Sequence, residues 1–298
     1  MKASAALLDQ KVLFDQYLGR CSISLSTYHF SSIFLWQDFF NFTFEEINGA
    51  LCVFAQQANS SFLYLPPLGT MDIPVIEKCF EKMDAVNPRT ARIENLTESQ
   101  IQQLPPQFKA YQKAQEYVYR KDDLIHLEGQ AYKSQRHDIN LATRDHDLDY
   151  RPYEDADFAA CQKLYELWAK ERFQKHEDAV YRTMLEENKR VHPLALQFHH
   201  QLGLVARVVA TGGKIVAYSL GYPLNSDTFC VLLEVSDLRI KGLSAFIFNR
   251  FCRDAVWQSY SFVNTMDDFG MPQVAQAKEA YHPIQHLPVY TVSRRLSS

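Results

Sequence analysis

The clearest patterning lies in the second half of the chain. Leu148–Tyr153 alternates in the manner of a half-buried strand. Asp155 then stands where an N-cap would open a helix to about Lys175, with Ala159, Leu164, Leu167 and Trp168 on one face. A second helical stretch covers Ala179–His200. Leu204–Ala210, a Gly212-Gly213 turn of hairpin type and Ile215–Tyr222 follow, and the apolar run Thr228–Val235 reads as the next strand. A helix over Leu243–Trp257, a strand at Tyr260–Asn264, a helix around Val274–Tyr281 and a strand at Pro288–Val292 close the series.

The first half repeats this order in truncated form. Phe42–Ile47 and Ala50–Phe54 flank Asn48-Gly49, the strongest short hairpin signal. Ser61–Leu65 is a further strand, Asp72–Val86 a helix and Ala91–Asn95 a strand. Thr97–Leu104 is a helix opened by a Thr97…Gln100 capping box, and Tyr117–Arg120 closes the set. The pattern predicts an α/β (α+β) chain of two similar domains, 1–130 and 131–298, with a polar linker helix over 131–145. Each domain is expected to be a mixed, mainly antiparallel sheet with flanking helices.

Composition fits that picture. The 298 residues are enough for two domains, and 47% apolar with 22% charged residues is ordinary for a folded globular chain. No run of about 18 apolar residues occurs, and Asp9 and Lys11 interrupt the apolar N-terminal patch before a signal-peptide core is complete. The cysteines, Cys21, Cys52, Cys79, Cys161, Cys230 and Cys252, are widely spaced with no C-x-x-C pair, which predicts buried free thiols and a reducing cytoplasm. A net charge of −4 gives no reason to expect nucleic-acid binding through global charge. His192, His199 and His200 lack the acid pairing of a metalloprotease and read as surface residues, so no metal is expected. Neither a G-x-S-x-G elbow, a Walker loop nor a dinucleotide fingerprint occurs, which disfavours hydrolase, NTPase and dehydrogenase readings.

Several motifs carry a family resemblance. They are Phe34-Leu35-Trp36, Pro67-Leu68-Gly69, Tyr132-Lys133-x-x-Arg136-His137-Asp138-Ile139-Asn140, Asn264-x-x-Asp267-Asp268-x-Gly270 and Lys278-x-x-Tyr281-x-Pro283. Together they resemble the family of the phosphatidylglycerol lysyltransferase C-terminal domain, over nearly the whole chain, and the Lys133-x-x-Arg136…Ile139 segment also resembles the linker helix of Fem-type peptidyltransferases. The resemblance implies two tandem GNAT-like (N-acetyltransferase-like) domains, cytoplasmic bacterial relatives, an aminoacyl-tRNA donor and a hydroxyl or amine acceptor. It does not carry over lipid specificity, because the membrane domain that presents phosphatidylglycerol is not part of this sequence. The element order of the second half is itself the GNAT order.

GNAT-like transfer needs a donor between two splayed central strands, a backbone N–H for the developing oxyanion, and a base for the acceptor's proton. Thr228–Val235 and Tyr260–Asn264 are the splayed pair by position, and the N–H groups around Leu233–Val235 are the oxyanion candidates. Glu234, Asp267 and Asp268 are the candidate bases, and the family motif favours the aspartates. Tyr281 is the candidate acid, with a spacing longer than usual, and Asn264, Gly270 and Lys278 are expected at the cleft.

Arg239-Ile240-Lys241-Gly242-Leu243-Ser244 sits where acetyl-CoA-using relatives bind pyrophosphate at a helix N-terminus; Ser244 replaces the usual Gly or Ala. Lys133, Arg136 and His137 share a helix face that could meet phosphates of a tRNA end, or form a solvated face paired with Asp138 and Asp145. The leading expectation is transfer of an aminoacyl or acyl group, with aminoacyl-tRNA or acyl-CoA as donor and a small molecule or peptide as acceptor. The alternatives are an acetyl-CoA-dependent N-acetyltransferase and a non-catalytic binding module.

Overall fold

The computed structural model describes residues 2–22, 24–175 and 177–295. The chain divides into two compact units, and each is assembled from segments distant in sequence. The first comprises Met1–Tyr117, Met266–Ala275 and His286–Ser298; the second comprises Val118–Thr265 and Gln276–Gln285. The change of unit falls inside a long strand, and the polar helix 133–145 lies wholly within the second unit.

The first unit opens with short helices α1 (Lys2–Leu8), α2 (Lys11–Leu18) and α3 (Ser31–Phe34). Strands β1 (Asn41–Ile47), β2 (Ala50–Gln57) and β3 (Ser60–Leu63) follow, then helix α4 (Ile73–Val86), strand β4 (Ile93–Leu96), helix α5 (Glu98–Ile101) and strand β5 (Phe108–Arg120). The β1–β2 hairpin turns on Asn48 and Gly49, both left-handed at φ 50° and 82°, which is why that dipeptide marks it. Asp72 caps α4 by accepting from Val75 N, and Thr97 and Gln100 form the anticipated capping box. Strand order is β1-β2-β3-β4-β11-β5, with β11 (Gln285–Arg294) returning from the end of the chain. Cys52, Phe54, Phe62 and Leu63 of the sheet pack with Val75, Ile76, Cys79, Phe80 and Met83 of α4.

The second unit contains α6 (Lys121–His126), α7 (Lys133–Asp145), β6 (Asp149–Pro152), α8 (Phe158–Lys175), α9 (Ala179–Gln197) and α10 (His199–Leu202). It continues with β7 (Val205–Thr211), β8 (Lys214–Pro223), β9 (Thr228–Ser236), α11 (Leu243–Cys252), β10 (Phe262–Asp267) and α12 (Pro272–Glu279), the last lying across the two units. Strand order is β10-β9-β8-β7-β6, antiparallel except for the β9–β10 pair. On one face α11 and α7 cover Val209, Val216 and Ala217, with Leu243, Phe246, Ile247 and Ala142 as the contact.

Several boundaries differ from the sequence reading. The helix after β6 is opened by a reciprocal box of Glu154 and Asp157 rather than by Asp155. The helix expected over Leu243–Trp257 stops at Cys252, because Asp254 turns away to pair with Arg207 and Tyr150 and to cap a short 3-10 turn through Val256 N. His192 and His199 are buried, not at the surface, while His200 is exposed. His192 belongs to the apolar face of α9 and meets Tyr218 Oη at 2.7 Å, and burial lowers its pKa to about 3. None of the six cysteines is in a disulfide, and no described helix is long and apolar enough to cross a membrane.

Candidate functional site

The two central strands of the second unit pair over a short distance only. Phe262, Val263 and Asn264 of β10 lie opposite Thr228, Phe229 and Cys230 of β9, and the register ends there while β9 runs on to Ser236. Just past that point β9 carries a bulge: Leu220 faces Leu233 while Gly221 faces Val231, so Leu232 is the extra residue. A bulge re-aims the side chains and N–H groups beyond it, and Leu233–Val235 are the residues so placed.

Glu234 is the third residue from the end of β9. Its Oε1 accepts from Ser244 Oγ, in the first turn of α11, at 3.2 Å. Its Oε2 is buried and has no hydrogen-bond partner. Burial drives the Glu234 carboxyl up to about 8, with the Ser244 hydroxyl pulling weakly the other way. Tyr281 lies within electrostatic reach: burial first, then the charge of Glu234, holds its phenol well above the ordinary tyrosine value. Its ring packs edge-on to Phe248 of α11, and its carbonyl accepts from Tyr132 Oη at 3.1 Å. The Cys252 thiol is likewise held up by burial and by Glu234. A half-buried carboxyl and the Ser244 hydroxyl thus meet beyond the point where the pairing of β9 with β10 ends, and the charge of that carboxyl reaches the Tyr281 phenol.

The loop before α11 is built differently from an open phosphate cradle. Arg239 is exposed but engaged by Asp237, with Nη2–Oδ2 at 2.6 Å and Nε–Oδ1 at 2.9 Å. Lys241 is exposed. Gly242 is left-handed at φ 80°, and a Cβ there would lie 1.9 Å from the Asp138 carbonyl oxygen of α7. The glycine therefore lets the backbone of α7 approach the start of α11 closely.

On α7, Arg136 is not a free cation. It donates to the carbonyls of Leu127 and Gly129, the latter at 2.7 Å, and so covers the C-terminal end of α6. Lys133 and His137 are exposed.

The remaining candidates fall in both units. In the second unit Asn264 is fully buried, and Lys278 donates to the carbonyl and hydroxyl of Thr265. In the first unit Asp268 is buried, accepts from Tyr117 Oη at 2.6 Å and from Gly270 N at 2.9 Å, and so anchors an Asx turn. Asp267 accepts from Phe269 N at 3.4 Å. Asp268→Asn is therefore expected to lower stability by about 1–3 kcal/mol, read from denaturant midpoints, since a buried acceptor set is broken. An unchanged midpoint would contradict that role. Ser219, facing Glu234 from β8, was not among the residues singled out in the sequence; its only signal was a serine inside the apolar run Ile215–Tyr222.

No curated protein matches the sequence. Among solved structures, a conserved protein of unknown function from Bacteroides thetaiotaomicron VPI-5482 has a TM-score of 0.85 at 22% identity, covering 97% of each chain. L-PGS from Bacillus licheniformis has a TM-score of 0.65 at 14% identity, over 95% of this chain and 91% of that one. A tandem GNAT protein from the clavulanic acid biosynthesis pathway has a TM-score of 0.51 at 10% identity, over 100% and 96%. At these identities the likenesses carry the fold, which is that of tandem GNAT-like proteins. The family model for the phosphatidylglycerol lysyltransferase C-terminal region matches residues 21–293, and the chain belongs to that family.

Proposed function

We propose that the second unit transfers an aminoacyl group from aminoacyl-tRNA to an amine or hydroxyl acceptor, with Glu234 as the general base. The observation that carries this reading is the half-buried Glu234, on β9 beyond the point where its pairing with β10 ends, with Oε2 enclosed and unpartnered and the carboxyl pushed up by desolvation to about 8. A base is most effective when its pKa lies near the working pH, because it is then both present unprotonated and strong enough to take a proton. Asp268, engaged by Tyr117 and Gly270, has no such freedom.

In the proposed step the acceptor attacks the ester carbonyl of the donor while Glu234 accepts the proton it sheds. N–H groups of the bulged stretch Leu233–Val235 face the oxyanion, and the ribose oxygen leaves as its bond to the carbonyl carbon breaks. Tyr281, whose phenol lies within electrostatic reach of Glu234, is the group assigned to protonate that oxygen.

Two features favour an aminoacyl-tRNA donor over acetyl-CoA. The family is named for a lysyltransferase. The Arg239–Ser244 loop, with Arg239 held by Asp237 and Gly242 against Asp138, is poorly suited to a pyrophosphate. The test is to supply charged tRNA and acetyl-CoA separately with a panel of amine and hydroxyl acceptors and to follow loss of the acyl group. Turnover of charged tRNA alone supports the reading; turnover of acetyl-CoA alone refutes the donor assignment.

The raised carboxyl also sets a pH dependence of stability. The folded state holds the Glu234 proton to about 8, against an ordinary value of 4.5, so its favourable contribution is complete below pH 4.5 and is lost as the pH climbs to about 8. Glu234→Gln is expected to remove this slope, so that the variant melts progressively higher than the parent between those limits. Parallel melting curves for the two proteins would contradict the burial of this charge.

A further inference from the structure

Among the described residues, the buried side-chain atoms without a hydrogen-bond partner are Thr27 Oγ1, Arg172 Nε, Ser219 Oγ, Glu234 Oε2 and Trp257 Nε1. Two of these face each other. Ser219 of β8 stands directly opposite Glu234 of β9 in the antiparallel register. Such residues send their side chains to the same face of the sheet, with Cβ atoms about 4.5–5.5 Å apart.

That face is the one beneath α11. Ser244 of α11 reaches Glu234 Oε1, and Ala217, two residues before Ser219, packs with Leu243, Phe246 and Ile247. Tyr218, between them, points the other way, to His192 of α9. Ser219 is fully buried. An alanine or valine would complete an apolar strand there at no cost in polar groups. A lone hydroxyl beside a lone carboxyl oxygen instead leaves room in the hydrogen-bonding ledger for a guest.

The guest is constrained by what these atoms can do. An ionised carboxyl oxygen only accepts, and a serine hydroxyl donates or accepts. An alcohol has one hydrogen and no charge, so ionised Glu234 stays uncompensated. An ammonium has three hydrogens, serves both oxygens, and offsets the cost of a buried anion.

We propose that Ser219 Oγ and Glu234 Oε2 together seat a primary amine, so that the acceptor of the transfer is a primary amine that Glu234 deprotonates in place. This rests on the reading of Glu234 as the base. The ammonium gives one proton to the Glu234 carboxylate, and the freed amine forms its N–C bond to the ester carbonyl carbon of the donor. The C–O bond to the ribose breaks as the tetrahedral adduct collapses; Tyr281 gives its proton to the ribose oxygen and takes a second proton from the nitrogen. The products are an amide and a free tRNA hydroxyl, with the net proton on Glu234.

The titratable groups facing Glu234 are Cys252 of α11 and Tyr281 after α12, and burial keeps both protonated. Glu234 is therefore the group that changes charge. At pH 7 it starts largely protonated, so seating an ammonium expels close to one proton.

Calorimetric titration of the full chain with n-butylamine and with n-butanol, each in two buffers of different ionisation enthalpy at pH 7, tests this directly. The amine is expected to bind with release of nearly one proton, and the alcohol without any. Ser219→Ala should weaken amine binding about tenfold without lowering the melting temperature, since it removes an unpartnered hydroxyl; Glu234→Gln should abolish the proton release. Equal binding of amine and alcohol, an unchanged amine preference in Ser219→Ala, or an amine that binds but is never acylated would overturn the assignment. If Glu234→Gln stops transfer while alcohols bind as well as amines, the amine seat falls and the base stands. If amines bind with proton release and Glu234→Gln still transfers, the base falls and the seat stands without its catalytic role.

Discussion

Replacing Glu234 by glutamine is expected to slow transfer by about 10²–10⁴-fold while leaving the protein at least as stable as before. The two effects share one cause. The carboxyl sits where burial penalises its charged form, with Oε2 unpartnered and Oε1 held only by the Ser244 hydroxyl. Glutamine keeps the size and the contact with Ser244 but cannot take a proton. At pH 8 and above it also removes a buried charge whose displacement from 4.5 to about 8 corresponds to a few kcal/mol of native-state penalty, on the order of 1.4 kcal/mol per pH unit. A residue retained at such a cost is the mark of function bought with stability. Loss of activity together with a gain in melting temperature is the signature; loss of both would make Glu234 a structural acid.

Gly242→Ala carries the largest expected effect on the fold. A methyl group there would meet the Asp138 carbonyl oxygen at 1.9 Å, and the left-handed φ of 80° already disfavours any residue with a Cβ. Neither obstacle is a flexible side chain: the oxygen belongs to the backbone of α7, which packs along α11. Overpacking and left-handed strain together are expected to cost roughly 3–5 kcal/mol, a fall in Tm on the order of 10 °C. A glycine kept for phosphate approach would behave otherwise, with donor binding lost and the melting temperature nearly unchanged. Thermal denaturation of this one variant therefore separates a packing glycine from a ligand-binding one.

Much of the architecture was legible because its strands are strongly apolar and its turns carry specific chemistry. Asn48-Gly49, the Gly212-Gly213 turn and the Thr97…Gln100 box each mark a local conformation that few other residues adopt. β5 was read as Tyr117–Arg120 only, although it begins at Phe108, because Lys109–Lys113 is an exposed polar stretch with no alternation to betray it. The return of Met266–Ala275 and His286–Ser298 to the first unit is a matter of tertiary pairing, which periodicity does not encode.

The site was legible in part. Position along the chain pointed to Glu234, Ser244 and Tyr281, but the family motif favoured Asp267 and Asp268 as the base. The choice of Glu234 as the proposed base rests on environment: Asp268 accepts from a tyrosine and a backbone N–H, whereas Glu234 is desolvated with one oxygen unpartnered. Arg136 and Arg239 illustrate the same limit. A basic residue at helix spacing or in a loop reads as an anion ligand, and the sequence does not show that Arg136 meets the carbonyls of Leu127 and Gly129 or that Arg239 meets the carboxylate of Asp237.

The most direct measurement is the pH–rate profile of aminoacyl transfer from charged tRNA, at low donor concentration, for the parent protein and for Glu234→Gln, corrected for spontaneous ester hydrolysis. The account predicts that the parent's kcat/KM rises with pH and levels off above an apparent pKa near 8, and that the variant is slower by at least about a hundredfold and lacks this limb. A variant that transfers at the parent's rate with the same profile would contradict the assignment of Glu234 as the base.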